Sequence, residues 1–238
     1  MFAAALLNNF PCLFGATTVE YSWLVEKVSL ATWETIYMVV ISTALAYVMG
    51  LPLGVILVTT EKVHILENIP VNRILGVIIN VFRSIPFIVF LILVIPLTKL
   101  IVGGFIGTVA SMVPLTLAAV PFVARLVETS LKEIEWGLIE AALSMGANSW
   151  QIITKVLLPE ASPSLILGVA ITAINLVGYS AMAGIVGGGG LGTLAYYYGY
   201  QRYQTLVLLI TVIILVVMVQ GVQVLGDTLA ARAVKRRR

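Results

Sequence analysis

Charge is scarce in this sequence. Only 11% of its 238 residues are Asp, Glu, Lys or Arg, and 60% are apolar, whereas a typical soluble domain has about 25% charged residues. Residues 35–60, 161–201 and 203–226 contain no acidic or basic side chain at all. Each stretch exceeds the roughly 20 residues that a helix needs to cross a bilayer. A large soluble core would need charged outer faces on its helices, so the composition indicates an integral membrane protein.

Cysteine and histidine are also nearly absent. Cys12 is the only cysteine, which excludes an internal disulfide and a cysteine metal cluster. His64 is the only histidine, so the usual zinc sites are excluded as well.

The hydrophobic runs predict an all-α protein with five membrane-spanning helices. The third and fourth runs contain proline, glycine and asparagine, which suit helices packed against protein rather than lipid. The predicted organisation is an extracytoplasmic or interfacial segment over 1–35, a transmembrane domain over 36–226 and a basic tail over 227–238. The predicted spans are Ile36–Val58, Ile74–Leu97, Ile106–Val127, Pro163–Val186 and Leu206–Gly226.

Lys and Arg are unevenly distributed between the two sides of these spans. With the C-terminus inside, the outer side holds only Lys27, Lys99 and Arg202. The positive-inside rule therefore predicts an outer N-terminus and a cytoplasmic C-terminus. The basic tail is interpreted as an anchor on the anionic inner leaflet rather than as a nucleic-acid site. The inner side holds Lys62, Arg73, Arg125, Lys132, Lys155 and the five basic residues of the tail.

The largest inner segment, residues 128–160, has a pattern of its own. Good helix formers precede Gly146, which is placed to end a first helix. Asn148 or Ser149 can cap a second helix, which Pro159 and Pro163 are expected to end. The segment is therefore predicted to form two short helices at an angle, with small residues at the corner where another protein can approach. A plain solvated loop is the alternative.

This segment resembles the EAA loop of the permease subunits of ATP-binding cassette (ABC) importers. In that family the loop forms a coupling helix that docks in a groove of the ATPase. The resemblance therefore implies that this segment is the ATPase-coupling site. The matching residues are Glu140, Ala141, Ala142, Gly146, Ala147, Leu158 and Pro159.

Further segments are similar to the permeases of methionine importers. They are residues 80–87, 177–184, 187–192 and 197–200, and the similarity runs from Trp33 onward. It implies a type I ABC importer permease in the bacterial inner membrane, working as a homodimer with two ATPase subunits and a methionine-binding lipoprotein. ATP and Mg would be bound by the ATPase, so the chain itself would be a non-enzyme without cofactors. The implied substrate is D- or L-methionine or a close analogue; another small amino acid is the alternative.

The lack of intramembrane charge bears on the energy source. Proton- and sodium-driven carriers usually place Asp, Glu or His within the membrane. The first, fourth and fifth predicted spans have none, and Arg83, Arg125 and Glu128 lie toward the inner ends of the second and third spans. Energy is therefore expected from another chain, and an ion-coupled secondary carrier is the less favoured alternative.

Two motifs suggest other chemistry but lack the necessary partners. The glycine run Gly187–Gly190 has no following Gly-Lys-Ser/Thr, so it is not a phosphate loop. It is interpreted as a flexible outer re-entry that touches the binding protein. Gly178, Tyr179 and Ser180 form a Gly-x-Ser sequence like that of intramembrane serine proteases, but a serine nucleophile needs a nearby base. The sole histidine, His64, is predicted in an inner loop.

Candidates for the transport path follow from the fourth span. A path for a small zwitterion with an apolar side chain should be lined by apolar and weakly polar groups; ordinary helix packing is the alternative role for such residues. The candidates for this lining are Asn175, Tyr179, Ser180 and Met182. In the second span, a hinge or dimer contact is predicted at Arg83, Ser84 and Pro86, with snorkelling of the arginine to the inner headgroups as the alternative.

Overall fold

The computed structural model describes residues 21–235, and every regular element among them is helical. Residues 1–20 of the predicted N-terminal segment, with Cys12, and Arg236–Arg238 of the tail lie outside the described residues. The first half of the chain forms α1 (Tyr21–Thr59), α2 (Ile69–Ser84), α3 (Phe87–Leu93), α4 (Ile95–Val102), α5 (Thr108–Lys132) and α6 (Trp136–Ser144).

The second half contains two helices with π-helical turns. Helix α7 consists of Ser149–Gln151, the π-helical Ile152–Leu157 and Leu158–Glu160. Helix α8 spans Ser162–Ile185, and α9 spans Gly190–Leu194 and continues as the π-helical Ala195–Gln201. Helix α10 covers Thr205–Lys235.

Four of these helices, α1, α5, α8 and α10, are long and apolar enough to cross a membrane. Helices α2 and α3 pass the same test together but are bent by 103° at a short break, so they form the fifth span if counted as one. The predicted all-α class with five spans is confirmed.

The second span differs from its prediction as a continuous helix. Helix α2 ends at Ser84, and Ile85 is extended with φ −83° and ψ 123°. Pro86 explains the break, because its ring disfavours helical geometry at the preceding residue and it has no N–H to continue the ladder. Pro86 instead precedes α3 as its N-terminal cap.

The first span begins earlier than predicted. Helix α1 starts at Tyr21 rather than near Ile36, so the described part of the predicted N-terminal segment is continuous with the span. Leu24 and Ala31 of this N-terminal part are buried in a cluster with Leu191 of α9 and Val207 of α10. This apolar burial stabilises the extension. The assignment of residues 1–35 as a separate segment stays a prediction.

The last span is longer than predicted. Helix α10 continues past Gly226 to Lys235, so the described part of the basic tail is helical. The buried Gly226 faces α8, where an added Cβ would collide with Cβ of Ala170.

Helix α1 packs closely on α5 through a stripe of small residues. Ala46, Gly50 and Gly54 follow one another at intervals of four along α1, and all three are buried. A Cβ added to Gly50 would lie 2.8 Å from Cβ of Val123, and one added to Gly54 would lie 2.6 Å from Cβ of Val127. Small residues at this spacing let helix backbones approach closely in membranes, so the stripe fixes the core of the helix bundle.

Candidate coupling segment and transport face

The corner between α6 and α7 is a complete helix-ending motif. Gly146 has a φ of +78°, in the left-handed region that favours glycine. Its N–H donates to the carbonyl of Leu143 at 2.9 Å, and the N–H of Ala147 donates to the carbonyl of Ala142 at 3.0 Å. These two bonds define the Schellman motif. The prediction that Gly146 ends the first helix is confirmed.

Asn148 opens α7 with a reciprocal cap. Its Oδ1 accepts a hydrogen bond from the N–H of Gln151 at 2.9 Å, while Oε1 of Gln151 accepts one from the N–H of Asn148 at 3.0 Å. This capping box satisfies two donors that the helix would otherwise leave unpaired. Of the two predicted caps, Asn148 is therefore the one used.

The second helix ends before the next span, as predicted, but Pro159 does not stop it. The chain stays helical through Glu160, and α8 begins at Ser162 with Pro163 in its first turn. Pro159 lacks the N–H of a regular helical bond. The π-helical turn Ile152–Leu157 lies directly before it, and such a widened turn re-arranges the ladder without ending the helix.

The motif residues of the coupling segment divide between surface and core. Ala142 is buried, Ala147 and Leu158 are half-buried, and Glu140, Ala141, Gly146 and Pro159 are exposed. The corner also presents Met145 and Trp150, whose side chains are 82% and 72% exposed. Large apolar side chains left in solvent around a corner mark an interaction surface. Sequence reasoning missed both, although apolar residues flanking a glycine corner were the available signal.

The start of α6 contacts the loop between α1 and α2. The ring of Trp136 meets the ring of His64 edge to face, with centroids 5.5 Å apart. Burial lowers the pKa of His64, with a smaller opposing effect from the Glu61 carboxylate and a further lowering by the Lys132 ammonium. His64 therefore favours the neutral state at this contact.

Close to this contact lies a set of charged and polar side chains that we call the charge cluster. Glu128 of α5 is ion-paired with Arg125 through Oε2 and with Lys132 through Oε1, the latter at 3.1 Å. Lys132 also reaches Glu61 at 2.9 Å, and Arg125 donates to Oδ1 of Asn80 at 2.7 Å. Sequence reasoning placed Arg125 and Glu128 near one end of a span but did not predict their pairing.

The four candidates for the transport path do not share one face of α8. Asn175 and Met182 are exposed seven residues apart, hence on one face. Ser180 is buried, and its Oγ donates to the carbonyl of Val177 at 2.7 Å. Tyr179 is half-buried, and its ring stacks on Phe87 with centroids 4.4 Å apart. Tyr179, four residues after Asn175 and three before Met182, lies on the same face as these two, and only Ser180 points away from it. The lining role of all four stays a prediction.

The candidates in the second span lie at the bend between α2 and α3. Arg83, Ser84 and Pro86 are all exposed. Oγ of Ser84 donates to the carbonyl of Asn80 at 2.8 Å, which closes the last turn of α2. Whether they form a hinge or a dimer contact stays a prediction.

The glycine run is closely packed, contrary to the expected flexible re-entry. Gly187, Gly189 and Gly190 have positive φ, and the N–H of Gly107 donates to the carbonyl of Gly187 at 2.9 Å. Glu34 and Thr35 of α1 accept hydrogen bonds from the backbone N–H groups of Gly190, the last residue of the run, and of Leu191. Neighbouring atoms occupy the space that side chains would need, among them the backbone of Ala183 at Gly188 and the side chains of Thr35 and Met38 at Gly190, which is why glycine fits here. Contact with a binding protein stays a prediction.

A bundle of apolar helices with a projecting apolar corner defines a multi-pass membrane protein. Among residues 21–235 no group of three or more His, Cys, Asp or Glu side chains is arranged to hold a metal ion. The chain belongs to the family of binding-protein-dependent transport system inner membrane components, whose family model matches residues 50–238.

Curated relatives support this assignment. The chain is 56% identical over 202 residues to the "Probable D-methionine transport system permease protein MetI" of Vibrio cholerae, covering 85% of this chain and 90% of the relative. It is 50% identical over 162 residues to the D-methionine transport system permease protein MetI of Escherichia coli, covering 68% of this chain and 73% of the relative.

Solved structures give the same fold. An inward-facing structure of the MetNI methionine ABC transporter matches with a TM-score of 0.88 and 46% identity, covering 90% of this chain and 99% of the matched chain. An amino acid ABC transporter with histidines matches with a TM-score of 0.72 at 18% identity, over 91% of this chain and 100% of the matched one, which shows the fold alone. The chain is therefore a type I ABC importer permease, a multi-pass inner-membrane subunit that works with an ABC ATPase and is not itself an enzyme.

Proposed function

We propose that this permease carries methionine, in its D or L form, or a close analogue into the cell. The observation that carries the proposal is the match over 90% of the chain to the permease of a methionine ABC transporter. The D-methionine permease of Vibrio cholerae, 56% identical, supports the same substrate. Another small amino acid is the alternative.

The proposed assembly is a homodimer of this permease with two ATPase subunits and a methionine-binding lipoprotein. The exposed face of α8 that carries Asn175 and Met182 is the proposed contact with the second copy and the wall of the path between copies. ATP and Mg would be held by the ATPase. The distribution of Lys and Arg supports an outer N-terminus and a cytoplasmic C-terminus, which puts α6 and α7 on the ATPase side.

The proposed mechanism transfers ATPase closure through the α6–α7 corner. The corner is continuous with α5 on one side and with α8 on the other, so its displacement moves both spans. Rocking of these spans would open the path to one side of the membrane at a time. The bend at Ser84–Pro86 is the proposed hinge that lets the second span follow.

The substrate and the energy source are tested together in proteoliposomes. The permease is reconstituted with its ATPase, and uptake of labelled methionine is measured with the lipoprotein and ATP, in competition with other amino acids. We expect uptake to depend on ATP. We also expect unlabelled methionine to reduce uptake of the labelled methionine more than any other amino acid does. Preferred competition by another amino acid would refute methionine, and uptake driven by a proton gradient without the ATPase would establish a secondary carrier.

The coupling role of the corner is tested with a β-branched side chain. Gly146→Val strains the backbone because its φ is +78°, a conformation in which a β-branched residue is an outlier. We expect uptake per ATP hydrolysed to fall by about fivefold or more. The matched control is Gly104→Val, where an added Cβ meets nothing within 4 Å and φ is not positive. Normal ATPase binding and transport by Gly146→Val would refute the coupling assignment.

A further inference from the structure

Glu128 is a buried carboxylate with both oxygens engaged. Its side chain is 9% exposed and lies near the end of α5, at the first residue of the coupling segment and shortly before α6. One oxygen is paired with Arg125 and the other lies 3.1 Å from Nζ of Lys132. A buried charge is tolerated only when it is paired, so these partners are held in fixed positions around the carboxylate.

The partners of Glu128 reach two other parts of the chain. Lys132 is also paired at 2.9 Å with Glu61, in the loop between α1 and α2. Arg125 donates a hydrogen bond at 2.7 Å to Asn80 of α2, a few residues before the bend that precedes α3. The charge cluster thus joins α5, the loop between α1 and α2, and the helix that leads into the 103° bend.

The same loop touches the first residue of α6. His64, which follows Glu61 closely in the loop, meets Trp136 at the start of α6 with ring centroids 5.5 Å apart. The loop and the end of α1 are also tied to α2, because Nδ2 of Asn72 donates to the carbonyl of Leu57 in α1 and to Oγ1 of Thr60 in the loop. A continuous set of contacts therefore runs from α6, through the loop and the charge cluster, to α2.

We propose that Glu128 is a positioning residue that makes the second span move with the coupling segment. The covalent connections from α6 and α7 lead only to α5 and α8, so they do not reach the bent span. The charge cluster supplies a connection through the Lys132–Glu61 ion pair and the Arg125–Asn80 hydrogen bond. Displacing α6 without α2 would break these contacts, whose two basic side chains are held in place by Glu128 from within α5. This inference rests on the proposed coupling role of residues 128–160.

The first test measures movement and does not depend on the substrate. Spin labels on Gly137 of α6 and Val77 of α2, in a Cys12→Ser background, report the distance between the two helices in the complex with the ATPase. With ATP and a hydrolysis-deficient ATPase, we expect this distance to stay constant in the parent protein and to change in Glu128→Gln. A distance that changes equally in both proteins would overturn the proposal.

The second test measures coupling. We expect Glu128→Gln to lower the ratio of substrate taken up to ATP hydrolysed by about fivefold or more, while Glu128→Asp, which keeps the charge, restores most of it. The control Glu67→Gln removes a nearby carboxylate that accepts only from the backbone N–H of Val63, and it should leave the ratio unchanged. An unchanged ratio in assembled Glu128→Gln would overturn the proposal.

Two milder variants decide the case if Glu128→Gln fails to assemble. Glu61 is 45% exposed in its side chain, so Glu61→Gln should fold. Asn80→Leu removes only the acceptor of Arg125. We expect both to lower the ratio while the melting temperature stays close to that of the parent; a parent-like ratio in both would overturn the proposal. Failure of methionine uptake in the parent would instead refute the proposed substrate, and the label distances would still test the charge cluster.

Discussion

The carboxylate of Glu34 in α1 accepts a hydrogen bond from the backbone N–H of Gly190, with Oε2 2.7 Å from the nitrogen. The neighbouring Thr35 repeats this contact, since its Oγ1 accepts from the N–H of Leu191 at 2.9 Å. Two consecutive side chains of α1 thus satisfy two consecutive backbone donors at the start of α9. The glycine run is held in place by a helix that lies far from it in sequence.

Removal of the Glu34 carboxylate should destabilise the fold. We expect Glu34→Ala to lower the free energy of unfolding by about 1–3 kcal/mol, because it leaves a partly buried N–H unpaired. Glu34→Gln should be milder, since its amide oxygen can still accept. The measurement is denaturant unfolding in detergent micelles, with the exposed Glu26→Ala of the same helix as control. Equal effects of Glu26→Ala and Glu34→Ala would contradict the assigned role of the contact.

Side chains at the junction of α8 and α9 should be poorly tolerated. A Cβ added to Gly184 would collide with the backbone of Gly192 and Thr193, and one added to Gly192 would collide with the backbone of Ala181. We expect either alanine substitution to cost about 1–3 kcal/mol of unfolding free energy through overpacking. Gly221→Ala is the control, because an added Cβ there meets nothing within 4 Å. Thermal unfolding that is unchanged in Gly184→Ala and Gly192→Ala would show that the helices separate easily.

The stability of the protein should depend on the ionisation of His64. Burial lowers its pKa from the ordinary value of 6.5, so the folded state favours neutral imidazole and the unfolded state binds more protons below that pH. This contribution is fully present above the unfolded pKa and is lost as pH falls through it toward the lower folded pKa. We expect the melting temperature to fall from about pH 7.5 to about pH 5.5.

His64→Phe separates this effect from other titrating groups. The variant keeps a ring against Trp136 but cannot take up a proton. Its melting temperature should fall less than that of the parent over the same pH range. Parallel curves for the two proteins would assign the pH dependence to other groups.

Met145 and Trp150 should anchor the ATPase. Their side chains are 82% and 72% exposed on either side of the Gly146 corner. Large side chains at the centre of an interface commonly carry about 2 kcal/mol or more of the binding free energy, which corresponds to roughly 30-fold in affinity. We expect Trp150→Ala to weaken ATPase binding by that order and Met145→Ala by less, as measured by titration in nanodiscs.

The matched control for these anchors is Leu100→Ala. Leu100 is 83% exposed but lies in α4, away from the corner. The Leu100→Ala variant should therefore bind the ATPase with unchanged affinity. Comparable losses for Leu100→Ala and Trp150→Ala would show that the corner is not the docking site.

The helices that the sequence predicted best are those bounded by clear signals. The third and fourth spans were expected at Ile106–Val127 and Pro163–Val186, and α5 and α8 occupy Thr108–Lys132 and Ser162–Ile185. Pro86 signalled a break in the second span, but the angle of 103° depends on how Phe87, Phe90 and Leu91 bury against other helices. Local sequence carries no information on such packing.

The candidate sites show the same division. The corner at Gly146 was predictable because glycine at a positive φ is a local property. The charge cluster and the Glu34 contact were not, since each joins side chains that are distant in sequence and no local pattern specifies which loops meet. The separation of Ser180 from Asn175 and Met182 could have been predicted. Asn175 and Met182 are seven residues apart and therefore share a helix face, whereas Asn175 and Ser180 are five apart and do not.

The packing of α1 on α5 has a consequence for the synthesis and membrane insertion of the protein. The ribosome completes α1 well before it completes α5, and at about 5–20 residues per second the interval is roughly 4 to 15 seconds. Throughout that interval the stripe of Ala46, Gly50 and Gly54 does not yet have α5 to pack against. Insertion of α1 into the bilayer and its assembly with α5 are therefore successive events, and the nascent chain passes through a stage in which this small-residue surface of α1 is not yet covered by α5.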